Sequence, residues 1–152
     1  MRQRSSVVCV GRVLAGCVIV MAAAGCGLES ARNSGWEASA IGSVRAISSA
    51  QFTYAAMCGG SYAPTLPALL EKGYLTADLG SSEQPVKLGY RFRMTAVKGD
   101  GVPTCGDVYY QDFEVRAEPE PGATGLRYFR TSSSGEVYAA TRPDFSDATV
   151  LQ

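Results

Sequence analysis

The sequence has 152 residues, of which 46% are hydrophobic and 18% charged, a composition typical of one globular domain and not of a disordered chain. Its lack of histidine excludes Ser-His-Asp and Cys-His catalytic arrangements and every zinc site that requires imidazole. The first 25 residues hold three arginines and no acid, so the remainder carries 11 basic and 14 acidic residues, a net charge of −3. This mild acidity argues against nucleic acid as a partner.

The N-terminal segment has the pattern of a secretory signal peptide. A basic stretch ending at Arg12 precedes an uncharged apolar run over 13–24, and small residues follow it. Ala24 and Gly25 before Cys26 resemble the lipobox of bacterial lipoproteins, in which the cysteine is acylated and becomes the new N-terminus. We therefore predict a lipoprotein-type signal peptide over 1–25 and a lipid on Cys26.

Three alternatives to this processing remain open. A second lipobox-like stretch ends at Cys17, but Arg12 leaves almost no apolar core before it. An ordinary cleavable signal is another alternative. An uncleaved membrane anchor is the third, although the uncharged stretch 13–28 is shorter than the ~20 residues that span hydrocarbon. In each case the arginines hold the start of the chain inside, and the remainder is exported to the periplasm or cell exterior.

A long helix is predicted after a short polar tether at 26–33. Ser34 and Glu37 form the Ser-x-x-Glu pattern of a capping box, and residues 35–57 contain no proline. Apolar residues recur at helical spacing, and Gly59 and Gly60 end the pattern. The predicted core residues of this helix are Ile41, Val44, Ile47 and Tyr54. A second, short helix is expected over 66–72.

The remainder of the chain has the period-two alternation of strands. Four strands are expected, over 88–96, 109–117, 126–131 and 136–141. The first two would place Arg91 and Arg93 near Asp112 and Glu114 on the wet face, and Tyr90, Phe92, Phe113 and Val115 against the helix. The fold class is therefore α+β, one long N-terminal helix packed on a four-stranded antiparallel β-meander. The globular domain spans 34–143, and 144–152 is a tail.

The cysteines indicate one structural disulfide. Cys9 and Cys17 lie in the targeting segment, so lipidation of Cys26 leaves Cys58 and Cys105 as a pair in an exported chain. A reactive thiol is the alternative, but no histidine or basic cluster is present to lower its pKa. The glycine and aspartate residues at 99–101 and 106–107 are typical of turns and lack the acids of a calcium loop. No catalytic, cofactor-binding or metal-binding residue is predicted.

Several stretches of the exported part carry a family likeness. They are 37–45 (Glu-Ala-Ser-Ala-Ile-Gly-Ser-Val-Arg), 50–54 (Ala-Gln-Phe-Thr-Tyr), 62–69 (Tyr-Ala-Pro-Thr-Leu-Pro-Ala-Leu), 89–92 (Gly-Tyr-Arg-Phe) and 122–129 (Gly-Ala-Thr-Gly-Leu-Arg-Tyr-Phe). Together, over about 31–143, they resemble bacterial type IV pilin-like and type II secretion pseudopilin-like proteins. The resemblance implies a long helix on an antiparallel sheet and a non-enzymatic subunit of a fibre or secretion machine. The partners it implies are other pilin-like subunits or secretion machinery.

The N-terminus departs from the pattern of that family. Pilins continue after the cleaved glycine with a hydrophobic helix that begins with an aromatic residue. Here Cys26 and a polar stretch follow Gly25, with no 20-residue apolar segment. A lipid on Cys26 would then be a substitute anchor. The sequence predicts a lipid-anchored structural or accessory subunit of the cell envelope, with an anchored extracytoplasmic binding module as the alternative.

Overall fold

The computed structural model describes residues 24–151, with side chains from Leu28 onward. Its helices are α1 (Ala24–Met57), α2 (Leu66–Glu71) and α3 (Ala77–Gly80). The strands are β1 (Val86–Lys87), β2 (Tyr90–Lys98), β3 (Tyr110–Pro119), β4 (Tyr128–Ser132), β5 (Val137–Ala140) and β6 (Thr149–Leu151). They form one antiparallel sheet in chain order, with α1 packed on one face, mainly against β3 and β4. The predicted α+β class with a long N-terminal helix is confirmed.

The number of strands differs from the prediction, because the sheet has six strands and not four. The four predicted strands correspond to β2, β3, β4 and β5. The additional strands β1 and β6 pair along the two outer edges and hold only two and three residues. Such short strands have too few positions for a period-two pattern to be visible. Strand β6 lies within the segment that was predicted as a tail, where Phe145 is also buried.

Helix α1 begins at Ala24, whereas the capping box predicted a start at Ser34. Ser34 lies within α1 and not at its start, and its hydroxyl donates to the Ser30 carbonyl oxygen one turn earlier, at 3.0 Å. The Glu37 carboxylate bonds Arg127 instead of the helix start, so the capping-box prediction is wrong. The stretch 26–33, predicted as a tether, is helical in the structure. It contains no proline, so the helix can extend through it without losing a backbone hydrogen bond, and Gly27 costs about 1 kcal/mol relative to alanine.

The core lies between α1 and the inner face of the sheet. The buried residues of α1 within it include Ala40, Val44, Ile47, Ala50, Gln51 and Tyr54, and Cys58 follows directly after the helix. They meet an inner sheet face that includes Tyr90, Phe92, Phe113, Val115, Phe129 and Val137. The predicted core is confirmed, with the difference that Ile41 is half-buried at its margin. The 3.6-residue period of the helix and the two-residue period of the strands therefore meet in one layer.

Gln51 is a polar residue of this core that the hydrophobic pattern does not reveal. Its side chain is fully buried, and its amide oxygen accepts from the Ala63 N–H at 2.8 Å. Its amide nitrogen donates to the Ala63 carbonyl oxygen at 3.0 Å. The pair of bonds satisfies the buried backbone where the chain turns back after α1. Gln51 thus positions the segment between α1 and α2.

Trp36 lies at the N-terminal end of the part of α1 that packs on the sheet and contacts the turn before β2. Its ring lies on Gly89, where an added Cβ would come within 2.8 Å of the indole. Gly89 also has a positive φ of 74°, which favours glycine. Both requirements explain why the turn between β1 and β2 carries glycine at this position.

Candidate functional site

The exposed face of α1 is made mainly of small residues. They recur every three or four positions, and they are Gly35, Ala38, Gly42, Ala46, Ser49, Thr53 and Ala56. The space above Gly35 and Gly42 is open, with no atom within 4 Å of an added Cβ. The Thr53 hydroxyl donates to the Ser49 carbonyl oxygen at 2.9 Å and so is directed along the helix. Arg45, Phe52 and Met57 are also exposed and flank this stripe of small residues, along which another helix can approach closely.

The first turns of α1 extend past the sheet. Every side chain from Leu28 to Arg32 is exposed, and Leu28 keeps 72% of its surface accessible. Cys26, the predicted lipidation site, lies within α1, and residues 1–23 of the predicted signal segment fall outside the described residues. No helix between residues 24 and 151 combines the length and apolar character that a bilayer span requires. The projecting end therefore leads directly to the predicted anchor.

A salt bridge fastens α1 to the loop before β4. The Glu37 carboxylate accepts from the Arg127 backbone N–H at 2.9 Å and from its guanidinium at 2.8 and 3.0 Å. The hydrogen bonds that the Arg127 guanidinium donates to Glu37 raise the pKa of Arg127. The Tyr90 hydroxyl donates to the Arg127 carbonyl oxygen, and burial followed by the charge of Glu37 raises the pKa of Tyr90. The Asn33 amide adds a bond to the Thr124 carbonyl oxygen at 3.1 Å. These contacts hold the helix at a fixed angle to the sheet.

The predicted disulfide between Cys58 and Cys105 is confirmed, with a Cα–Cα distance of 5.2 Å. It joins the C-terminal end of α1 to the long loop between β2 and β3. The Tyr62 N–H donates to the Tyr110 carbonyl oxygen, and the Tyr110 N–H donates to the Ser61 hydroxyl. The loop and the segment after α1 are therefore held together by covalent and backbone contacts.

Two tyrosines beside this disulfide are partly removed from water. Burial, and then the proximity of Tyr74, raises the pKa of Tyr54. Burial is also the larger cause at Tyr62, followed by the charge of Asp112. Both phenols therefore remain neutral at physiological pH. Together with Cys105 and Tyr110 they line a cavity of about 200 Å³.

The outer face of the sheet carries arginines in a register that the sequence did not predict. Arg93 lies opposite Arg116, and Arg116 lies opposite Arg130, so the three form one row across β2, β3 and β4. Arg91 pairs with Glu120 at 3.0 Å, and Glu114 contacts Arg116 and Arg130. The predicted pairing of Arg91 and Arg93 with Asp112 and Glu114 is therefore wrong. A register shift of two residues keeps every side chain on its face, so alternation alone could not fix the pairing.

Aromatic rings lie against the guanidinium groups of Arg116 and Arg130 in this row. The Arg130 guanidinium lies 5.0 Å from the Phe145 ring centroid and 5.3 Å from that of Tyr138. The Arg116 guanidinium lies 5.6 Å from the Phe145 centroid. Phe145 has a positive φ of 56°, which is rare for a bulky residue and shows that its surroundings fix it there. A cavity of about 300 Å³, lined by Glu114, Arg130, Thr131, Ser132, Ser134 and Tyr138, opens beside the row.

The part of the chain between residues 24 and 151 contains no group of three or more acidic or cysteine side chains that could hold a metal ion. The loop with Asp100 and Asp107 is exposed and is fastened by the disulfide. Comparisons with known proteins give no match: no family model, no curated protein and no solved structure is similar to this chain.

Proposed function

We propose that this protein is a non-enzymatic, pilin-like structural or accessory subunit of the bacterial cell envelope, of the kind that serves type IV pili or type II secretion. The observation that carries the proposal is the division of α1 into two faces. One face is buried on the sheet, whereas the other is open and built of small residues such as Gly42 and Ser49. A helix that packs on its own sheet with one face and presents a stripe of small residues on the other is suited to pack against a neighbouring subunit.

The projecting end of α1 supports attachment to a membrane. We place the anchor at Cys26, where a diacyl group would supply many buried CH₂ groups at ~0.8 kcal/mol each. Because residues 26–33 are helical, the anchor and the domain would be joined by a rigid rod and not by a flexible tether. At about 1.5 Å per residue, the eight helical residues 26–33 between the anchor and the domain would span about 12 Å. The domain would therefore stand away from the membrane surface at a set orientation.

Cross-linking between copies tests the contact through α1. Ser49→Cys should give a covalent dimer on oxidation of intact cells of the source bacterium, because Ser49 lies on the open face. Gly42→Cys should do the same about two helical turns away. The measurement is the dimer band on a non-reducing gel, compared with the parent chain, which retains the native cysteines.

Ser82→Cys is the matched control for this experiment. Ser82 is an exposed serine in the turn after α3, on a different element from α1. It should give no dimer above the parent background. If Ser82→Cys cross-links as strongly as Ser49→Cys, or if neither helix position cross-links, α1 does not mediate assembly.

A second candidate function is an anchored extracytoplasmic binding module on the same fold. The specific observation in its favour is the arginine row with its adjoining cavity on the outer sheet face. This face is opposite to α1, so binding there and assembly through α1 are compatible.

A further inference from the structure

The arginine row, defined as Arg93, Arg116 and Arg130, is not explained by the stability of the sheet. Like charges directly opposite one another on neighbouring strands are destabilising. Within residues 24–151 the only acid in ion-pair contact with the row is Glu114, at 2.5 Å from Arg116 and 3.9 Å from Arg130. Glu114 therefore pairs with two of the three guanidinium groups, and Arg93 is exposed and has no ion pair among the described residues. The row therefore carries positive charge that Glu114 does not neutralise and that an anionic partner could pair with.

The guanidinium groups of Arg116 and Arg130 are held in place by neighbouring aromatic rings, without any partner bound. Phe145 and Tyr138 contact the Arg130 guanidinium through their ring faces, which uses none of its five N–H donors. Among the described residues the Arg130 guanidinium makes no hydrogen bond, and the acid nearest to it is Glu114, at 3.9 Å. A held guanidinium loses little freedom when it binds a carboxylate in the two-point geometry that arginine favours. Arg130 is thus the strongest candidate for a direct contact with an anion.

The cavity beside Arg130 offers hydrogen-bonding groups and an aromatic surface in addition to positive charge. Its volume of about 300 Å³ is at the lower end of small-molecule sites. Ser132 and Ser134 contribute hydroxyl groups that both donate and accept, Glu114 contributes an acceptor, and Tyr138 contributes an aromatic wall. These are the groups that bind the hydroxyls and the apolar face of a sugar ring.

We infer that the outer sheet face binds a carboxylated polysaccharide. One sugar unit occupies the cavity with its carboxylate on Arg130, and carboxylates of neighbouring units contact Arg116 and Arg93. Adjacent strands are about 4.8 Å apart, so the row spans about 10 Å, enough for more than one sugar unit. This inference deepens the second candidate function above, and its failure would leave the α1 contact untouched.

Binding of polygalacturonate to the full-length protein in detergent tests the inference, with neutral dextran and duplex DNA as comparison polymers. Polygalacturonate should bind and dextran should not. Arg130→Gln should weaken binding at least about tenfold, because it removes a charged two-point contact. Arg93→Gln should weaken it by about threefold or more, and this exposed position keeps the test valid if Arg130→Gln fails to fold.

Arg45→Gln is the matched control, because Arg45 is an exposed arginine on α1 and its loss changes the net charge equally. It should leave binding unchanged, and Tyr138→Phe should retain binding because the ring remains. Three results would overturn the inference: no binding of polygalacturonate, an equal loss with Arg45→Gln, or DNA binding as tight as polygalacturonate binding. The last two would indicate diffuse attraction of polyanions.

Discussion

Ile47→Ala is expected to lower the free energy of unfolding by about 2–5 kcal/mol. Ile47 is fully buried in the layer where α1 meets the sheet, between the buried residues Val44 and Tyr54 of the same face. The substitution removes three carbon atoms from a closely packed core, and the rigid sheet prevents the gap from closing fully. Urea unfolding followed by circular dichroism measures the loss as a shift in midpoint.

Ser49→Ala provides the control for this measurement. Ser49 lies two residues further along α1 but on the open face, where its side chain is exposed. Its substitution should change the unfolding free energy by no more than about 0.5 kcal/mol. If Ile47→Ala were as mild as Ser49→Ala, the packing of α1 on the sheet would not be the main source of stability.

Removal of the disulfide is expected to cost about 4 kcal/mol, from the entropy of a loop closed over 47 positions. The Cys58→Ala, Cys105→Ala double variant should therefore unfold at much lower urea concentration than the parent. Its long β2–β3 loop should also become sensitive to protease, because the bond fastens that loop to the end of α1. Limited proteolysis at Lys98 measures this second effect.

Reductant supplies the internal control for the disulfide. Dithiothreitol should lower the unfolding midpoint of the parent protein to that of the double variant and should leave the double variant unchanged. An effect of reductant on the double variant would show that other cysteines contribute. Equal midpoints for the oxidised parent and the double variant would show that the bond adds no stability.

The main architecture could be predicted from the sequence because long elements carry strong periodic signals. Val44, Ile47 and Tyr54 recur at helical spacing, and all three are buried. The strand edges and the helix start could not be predicted in this way. Strands β1 and β6 are too short for a pattern, and the Ser-x-x-Glu motif at Ser34 serves tertiary contacts through Glu37 instead of a cap.

Of the candidate sites, the disulfide could be predicted from the sequence, whereas the arginine row and Gln51 could not. Cys58 and Cys105 were predicted by elimination among five cysteines, and the structure joins them. The arginine row was not predicted, because it depends on the register between strands. Alternating residues such as Arg91 and Arg93 show which face is wet but not which residue of β3 lies opposite. Gln51 was also missed, because its partner Ala63 is a backbone contact that no side-chain pattern records.

The proposed lipid anchor depends on Cys26, and one measurement tests it most directly. The parent, Cys26→Ser and the control Cys17→Ser are fractionated into membrane and soluble pools, and the mass of each N-terminal peptide is determined. We predict that the parent and Cys17→Ser are found with membranes and begin at an acylated Cys26, whereas Cys26→Ser is soluble or remains an uncut precursor. A Cys26→Ser protein that is found with membranes at the same full precursor length as the parent would contradict the account, because the N-terminal segment would then be an uncleaved anchor.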